Sequence, residues 1–387
     1  MLNIAMVAEH AQLQERDAVL RTPHLMALAQ ALVALGHEVT VYARPVDSAA
    51  PQVEVSPRGF RVVWLTGRFQ PALASALRAN PPDVVHCHCG VVWQAAATVS
   101  RELGVPFVHS LHAPADVAPA RRDHESTADL AAAFAADGVI ASFSAQVRRL
   151  VRAGVPRQKI ILVPYGVDVD HFTPDGVSAQ RRRAHRIVAM GDLVPSSGFG
   201  SPVAALSALP DTELVIVGGP QRGVHAREIR DYARTLGVAD RVRLAGTVPR
   251  ADLPELLRSA DVLVCSPWES TFGVAALEAM ACGVTVVGNR IGGLVDTVVD
   301  QVTGIHVTPR KPRELAAALL RLLQHKALCE QQGAAGRDRA WSRYSWARIA
   351  TDTVHAYDRA GATDPAVIAL REAEAERRIA RRASVAT

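Results

Sequence analysis

Three features of this 387-residue sequence predict an α/β fold of two Rossmann-like domains facing each other across a central cleft. Short β-rich runs alternate with amphipathic Ala/Leu-rich stretches, which implies parallel βαβ units. A polar segment at residues 169–185, with consecutive arginines at 181–183, interrupts the alternation. The alternation then restarts, so the chain divides into two units with a ligand cleft between them. A hydrophobic content of 49% and a charged content of 21% supply apolar material for two cores.

The first unit, residues 1–168, opens with LNIAMVA as a strand. A helix is expected over residues 23–35, with Thr22 as its N-cap and Pro23 as its first residue. HEVTVYA, FRVVWL, DVVHCH, PFVHSLH, GVIASF and KIILVPYG are the strands that follow. Within DVVHCH, the run His86-Cys87-His88-Cys89 looks like a metal cluster. A strand sends its histidines to one face and its cysteines to the other, so the run reads as a buried strand instead. After the 169–185 linker, the second unit, residues 186–343, has RIVAMG, ELVIVGG, VRLAG, DVLVCSP, VTVVG and GIHV as strands. Residues 272–281 form a helix between the fourth and fifth of these. Residues 361–387 are a charged tail in which Glu374 and Arg378 make an i,i+4 pair beside a thin apolar face, so it reads as solvated.

The net charge is +5, with −1 over residues 1–180 and +6 over 181–387, which suits an anionic ligand in the second unit. No basic run interleaves with aromatics, which argues against nucleic acid as a partner. Five cysteines at irregular spacing form no disulfide framework and fit a reducing compartment, so a cytoplasmic location is expected. No apolar run reaches the roughly 18 residues of a transmembrane segment, and MLNIAMVAEH reads as a strand rather than a signal peptide.

The richest stretch runs from Pro267 to Gly293, PWESTFGVAALEAMACGVTVVGNRIGG: a strand end, a helix carrying an acid, and a Gly-Gly turn. Ligands of open parallel sheets sit at such strand ends. With GHEVTVY, DVVHCH, LVPYGVDVDHFTPDG, ELVIVGG and YSWARIATDTVHAY, in order over residues 1–360, it resembles the retaining GT-B glycosyltransferases of family 4. The resemblance implies a nucleoside-diphosphate sugar as co-substrate on the second unit and an unidentified acceptor on the first. It implies no tightly bound cofactor or metal, and a helix over 344–360 that returns to the first domain. It also implies transfer in which the leaving diphosphate helps take the acceptor's proton, so the protein's task is mostly electrostatic.

Residue by residue, the resemblance gives Glu278 to the nucleotide ribose, with Phe272 and Gly273 beside it, and Val248-Pro249 near the base. Gly292-Gly293 is the turn beside sugar or phosphate, Arg290 is the nearest cation, and His112 is the catalytic candidate beside the donor sugar. Three departures stand out. Asp192 and Ser197, in GDLVPSSGF, stand where the family carries the Arg and Lys that hold the diphosphate. Ser270 stands in place of the first acid, with Glu269 one residue early and so pointing differently. The segment HAQLQERDAVLRTPH lacks the family's Gly-Gly turn and offers Arg16 and Arg21 in that gap. Losing two hydrogen bonds to a charged group costs roughly 3–6 kcal/mol. Three readings follow: a glycosyltransferase with an altered donor grip, a catalytically impaired relative that binds or regulates an active paralogue, or another two-Rossmann enzyme such as a nucleotide-sugar epimerase. Loops 12–22 and 113–125 would carry acceptor choice.

Overall fold

The computed structural model describes residues 1–10, 24–45, 52–88, 92–111, 127–268 and 272–362. In chain order the first half contains β1 (Asn3–His10), α1 (His24–Ala34), β2 (Glu38–Arg44), β3 (Val53–Val55), β4 (Arg61–Trp64), α2 (Phe69–Ala79), β5 (Val84–Cys87) and α3 (Trp93–Leu103). It continues with β6 (Phe107–Ser110), α4 (Thr127–Ala135), β7 (Gly138–Ala141), α5 (Ser144–Arg152) and β8 (Ile160–Leu162). These strands form one sheet in the order β3-β4-β2-β1-β5-β6-β7-β8, parallel except for β3 against β4. Continuous Val/Ile runs such as Val84-Val85, buried on both faces, suit strands covered by helices on each side. The edge strand β3 was not anticipated. Its residues Val53, Glu54 and Val55 are all exposed, so no buried-strand signal marks it.

The second half contains β9 (His185–Met190), α6 (Gly200–Ala205), β10 (Thr212–Val217), α7 (Val224–Thr235), β11 (Val242–Gly246), α8 (Leu253–Arg258), β12 (Val262–Cys265) and α9 (Val274–Ala281). It ends with β13 (Thr285–Asn289), α10 (Leu294–Thr297), β14 (Gly304–Val307), α11 (Pro312–Gln324) and α12 (Lys326–Tyr344). The sheet order is β11-β10-β9-β12-β13-β14, every neighbour parallel. Strand order reverses between β9 and β12, so their carboxyl ends open a crevice of the kind that takes ligands in such sheets. One core lies under α6, α7 and α11. A second, under α8, α9 and α12, also takes in Phe143 and Val167 from the first half's side of the chain.

The last helix among the described residues, α13 (Trp346–Arg359), belongs to the first half. Ile349, Ala350, Ala356 and Tyr357 are fully buried in one core cluster with Ile4, Leu28 and Leu32. The helix expected over 344–360 runs over Trp346–Arg359; Tyr344 closes α12, and Ser345 between the two helices is extended, at φ −60° and ψ 146°. That break lets the chain cross between halves, where the Val167 amide donates to the Tyr344 carbonyl at 2.8 Å and Val167 bridges Ser345. Gly166 lies flat against the Trp346 indole, and a Cβ there would sit 2.6 Å from the ring.

Candidate active site at the sheet switch point

Two loops leave the switch point side by side. After β9 come Gly191, Asp192, Leu193 and Val194, then a 3-10 turn over Pro195–Ser197 that ends on Gly198 at φ +72°. After β12 come Ser266, Pro267 and Trp268. The loops are zipped together: the Trp268 amide donates to the Ser196 carbonyl at 2.8 Å, and Ser266 Oγ donates to the Gly198 carbonyl at 3.1 Å. Gly198 is required twice over. Its φ is left-handed, and a Cβ would run into the Ser266 carbonyl. Asn289 Nδ2, at the end of β13, donates to the Pro267 carbonyl at 2.8 Å and fixes the second loop from its other side.

The expected phosphate-facing positions carry no cation here. The Asp192 side chain is exposed, and the Ser197 hydroxyl turns inward to donate to the Asp192 carbonyl at 2.6 Å. That hydroxyl therefore closes its own loop. Arg290 is 61% exposed at the side chain and ion-pairs with Asp300 at 3.2 Å. A cation that sequence reasoning missed, Arg310, stacks on the Trp268 indole at 4.5 Å. It does so from a left-handed φ of +60°, uncommon for a side chain without a local reason.

Glu278 is the fifth residue of α9 and only 3% exposed. Arg250 Nη1 donates to its Oε1 at 2.7 Å, and the guanidinium stacks on the Phe172 ring at 4.9 Å. His171, next to Phe172, hydrogen-bonds the Arg250 carbonyl at 3.0 Å. Burial pushes the Glu278 carboxyl above its ordinary value, against the opposing pull of Arg250 and His171. The acid expected to face a ribose alone is thus presented by an arginine. The signal for it in the sequence is GTVPRADL, where Arg250 directly follows Val248-Pro249.

Phe272 is buried and meets Tyr165 at 4.8 Å and Tyr344 at 6.5 Å between ring centroids, which ties the loop to the crossing between halves. Gly273, at φ +86°, starts α9, and a Cβ there would strike the Leu294 side chain. Gly292 is left-handed at φ +56°, and a Cβ on Gly293 would lie 2.8 Å from the Phe272 backbone. Phe272, Gly273, Gly292 and Gly293 are therefore brought together. His112, Glu269, Ser270, Arg16, Arg21, Thr22, Pro23, loops 12–22 and 113–125, and the tail from residue 363 lie outside the described residues.

On β5, His86 hydrogen-bonds Tyr357 at 2.8 Å through Nδ1 and Ser110 at 2.7 Å through Nε2, which occupies both ring nitrogens. Among the described residues no group of three His, Cys, Asp or Glu side chains is placed to hold a metal ion. Among them too, no helix is long and apolar enough to cross a membrane.

Comparison with known proteins places this geometry. The glycosyl transferases group 1 model matches residues 181–339, and the glycosyltransferase family 4 model matches residues 22–171. A protein of Xylanimonas cellulosilytica named D-inositol 3-phosphate glycosyltransferase is 31% identical, over 94% of this chain and 98% of its own length. One of the same name from Kineococcus radiotolerans is 30% identical over 92% and 95%. Sucrose-phosphate synthase from Thermosynechococcus elongatus superposes with a TM-score of 0.75 at 24% identity, covering 94% of this chain and all of that one. Anabaena HepE, solved with UDP, gives 0.73 at 20% identity over 91% and 98%. At those identities the solved structures establish the shared GT-B architecture. Matched in both halves and aligned with relatives along nearly their whole length, the chain belongs to the group 1, family 4 glycosyltransferases.

Proposed function

We propose that this glycosyltransferase moves a sugar, with retention of configuration, from a nucleoside-diphosphate sugar to a small-molecule or glycan acceptor. The carrying observation is the junction of residues 191–198, 266–268 and 272–273 with the Gly292-Gly293 turn at the switch point, with Glu278 on the helix that follows. In the reaction, the bond from the anomeric carbon to the phosphate oxygen breaks and a bond to the acceptor oxygen forms. The acceptor's hydroxyl proton passes to the leaving diphosphate. The protein's part is to hold that diphosphate as its charge builds. UDP in the Anabaena neighbour supports a uridine donor, and the relatives' names make a phosphorylated polyol the first acceptor to try.

The donor site is atypical, because the exposed Asp192 carboxylate and the inward Ser197 hydroxyl leave the 191–198 loop without a cation. That same observation favours a second reading, a catalytically impaired protein that binds or regulates an active enzyme. Calorimetry with UDP, GDP, ADP and their sugars separates the two. A Kd tighter than about 100 μM, roughly 5.5 kcal/mol, supports a working donor site. Absence of binding by every nucleotide sinks it. Retention is read from the anomeric configuration of the product by NMR.

A further inference from the structure

We propose that Asp296 is a positioning residue that ties closure of the two halves to the donor turn at Gly292-Gly293; this rests on reading that turn as part of the donor site. Asp296 lies on α10 of the second half, yet its carboxylate reaches the first residue of α5 in the first. The Ser144 amide donates to Oδ2 at 2.5 Å, and the Ser144 hydroxyl donates to Oδ1 at 2.7 Å. A helix start leaves amides unsatisfied, and a polar residue just before it usually accepts from them. Here that residue is Phe143, whose side chain has no acceptor. An acceptor for the free amide of the first residue comes from the other half, 152 residues away in sequence, and brings the negative charge a helix start favours. Phe143 is itself buried in the second half's core.

From behind, α10 is held by α12. Arg339 donates to the carbonyls of Asp296, at 2.7 Å, and Thr297, at 2.9 Å. The Tyr344 hydroxyl donates to the Asp296 carbonyl at 3.1 Å, one residue before the crossing at Ser345. Thr297 Oγ1 donates to the Gly293 carbonyl at 2.9 Å, so the helix and the turn that precedes it move as one piece. Gly293 in turn lies against the Phe272 backbone. One short helix is therefore tied to the other half, to the crossing and to the donor turn. Separating the halves pulls on the turn.

The test is hydrogen exchange on the full chain without ligand. In Asp296→Ala, amides of residues 144–148 and of 292–298 both exchange about tenfold faster, the lower end for hydrogen bonds to a charged group at a half-buried site. Asp296→Asn, which keeps an acceptor without the charge, gives a smaller rise. So does Ser144→Ala, and Ser144→Ala/Asp296→Ala gains nothing over Asp296→Ala. Faster exchange at 144–148 alone, or at neither segment, overturns the proposal. If Asp296→Ala does not fold, Ser144→Ala decides: a rise of about threefold at 292–298 supports coupling and none overturns it. Calorimetry with UDP adds a second readout. A Kd about tenfold weaker in Asp296→Ala supports the proposal and an equal Kd overturns it. Wild type that binds no UDP counts against the donor-site reading, while the exchange result still decides whether Asp296 couples the segments.

Discussion

Removing the Arg250 guanidinium tests how the Glu278 carboxyl is accommodated in a nearly dry place. The side chains are 17% and 5% exposed, and their contact is 2.7 Å. Breaking a buried ion pair costs about 3–5 kcal/mol because the remaining charge is stranded. Access at Arg250 argues for the lower figure, about 3 kcal/mol. Two parts of that loss differ in their dependence on pH. Stacking on Phe172, worth about 0.5–1 kcal/mol, is lost at any pH. The remainder depends on the Glu278 proton. Burial raises the folded carboxyl above its ordinary value of 4.5, so its contribution to stability is largest in acid and declines as pH rises through the folded value. Without Arg250 that value rises further, and the penalty grows with pH. Arg250→Ala should therefore cost about 1 kcal/mol at pH 4.5 and about 3 kcal/mol at pH 8, corresponding to roughly 1 °C and 4 °C in Tm for a chain of this length. Adding Glu278→Gln should restore most of the loss at pH 8. Differential scanning calorimetry at both pH values is the assay. An equal loss at both, unrelieved by Glu278→Gln, would refute the account and leave the stacking as Arg250's whole contribution.

Asp192→Arg with Ser197→Lys should tighten UDP binding about 10- to 100-fold, roughly 1.4–2.7 kcal/mol, because the exposed position screens part of a +3 change in charge; calorimetry at low and high salt should show the gain shrinking with salt. Gly198→Ala should lose about 3 kcal/mol or more, since it combines a left-handed φ with a clash against a carbonyl, and thermal denaturation reads it directly. Burial pushes the Cys265 and Cys282 thiols up to about 12, so at pH 8 both should resist alkylation in the native protein and react only on unfolding, as followed by peptide mass spectrometry.

Alternation and buried Val/Ile runs made the α/β layers legible, because helix-covered parallel strands must be apolar on both faces. β3 was not legible: three exposed residues carry no burial pattern. The boundary near residue 344 came with YSWARIATDTVHAY, but what fixes it, the meeting of Ser345 with Val167 from a distant part of the chain, is encoded by no local pattern. At the site, Gly273, Gly292 and Gly293 came with the resemblance, and in the structure a left-handed turn or a close approach restricts each to glycine. The partners of charged groups could not. Arg250 with Glu278, and Asp296 with Ser144, are 28 and 152 residues apart. No periodicity within one element encodes pairings over such separations.

The burial of α13 in the first half's core bears on how the protein is made. Ile349 and Tyr357 cover the side of the first sheet that Leu28 and Leu32 also line. At about 5–20 residues per second, the roughly 180 residues between Leu162 and Trp346 take about 10–40 s to synthesise. Through that interval the amino-terminal half is on the ribosome with its sheet strands translated and one apolar face covered only by α1. Apolar surface exposed in this way is what chaperones bind and what makes nascent chains stick together. A translation stall inside the second half prolongs the exposure, and a stop codon before residue 346 makes it permanent.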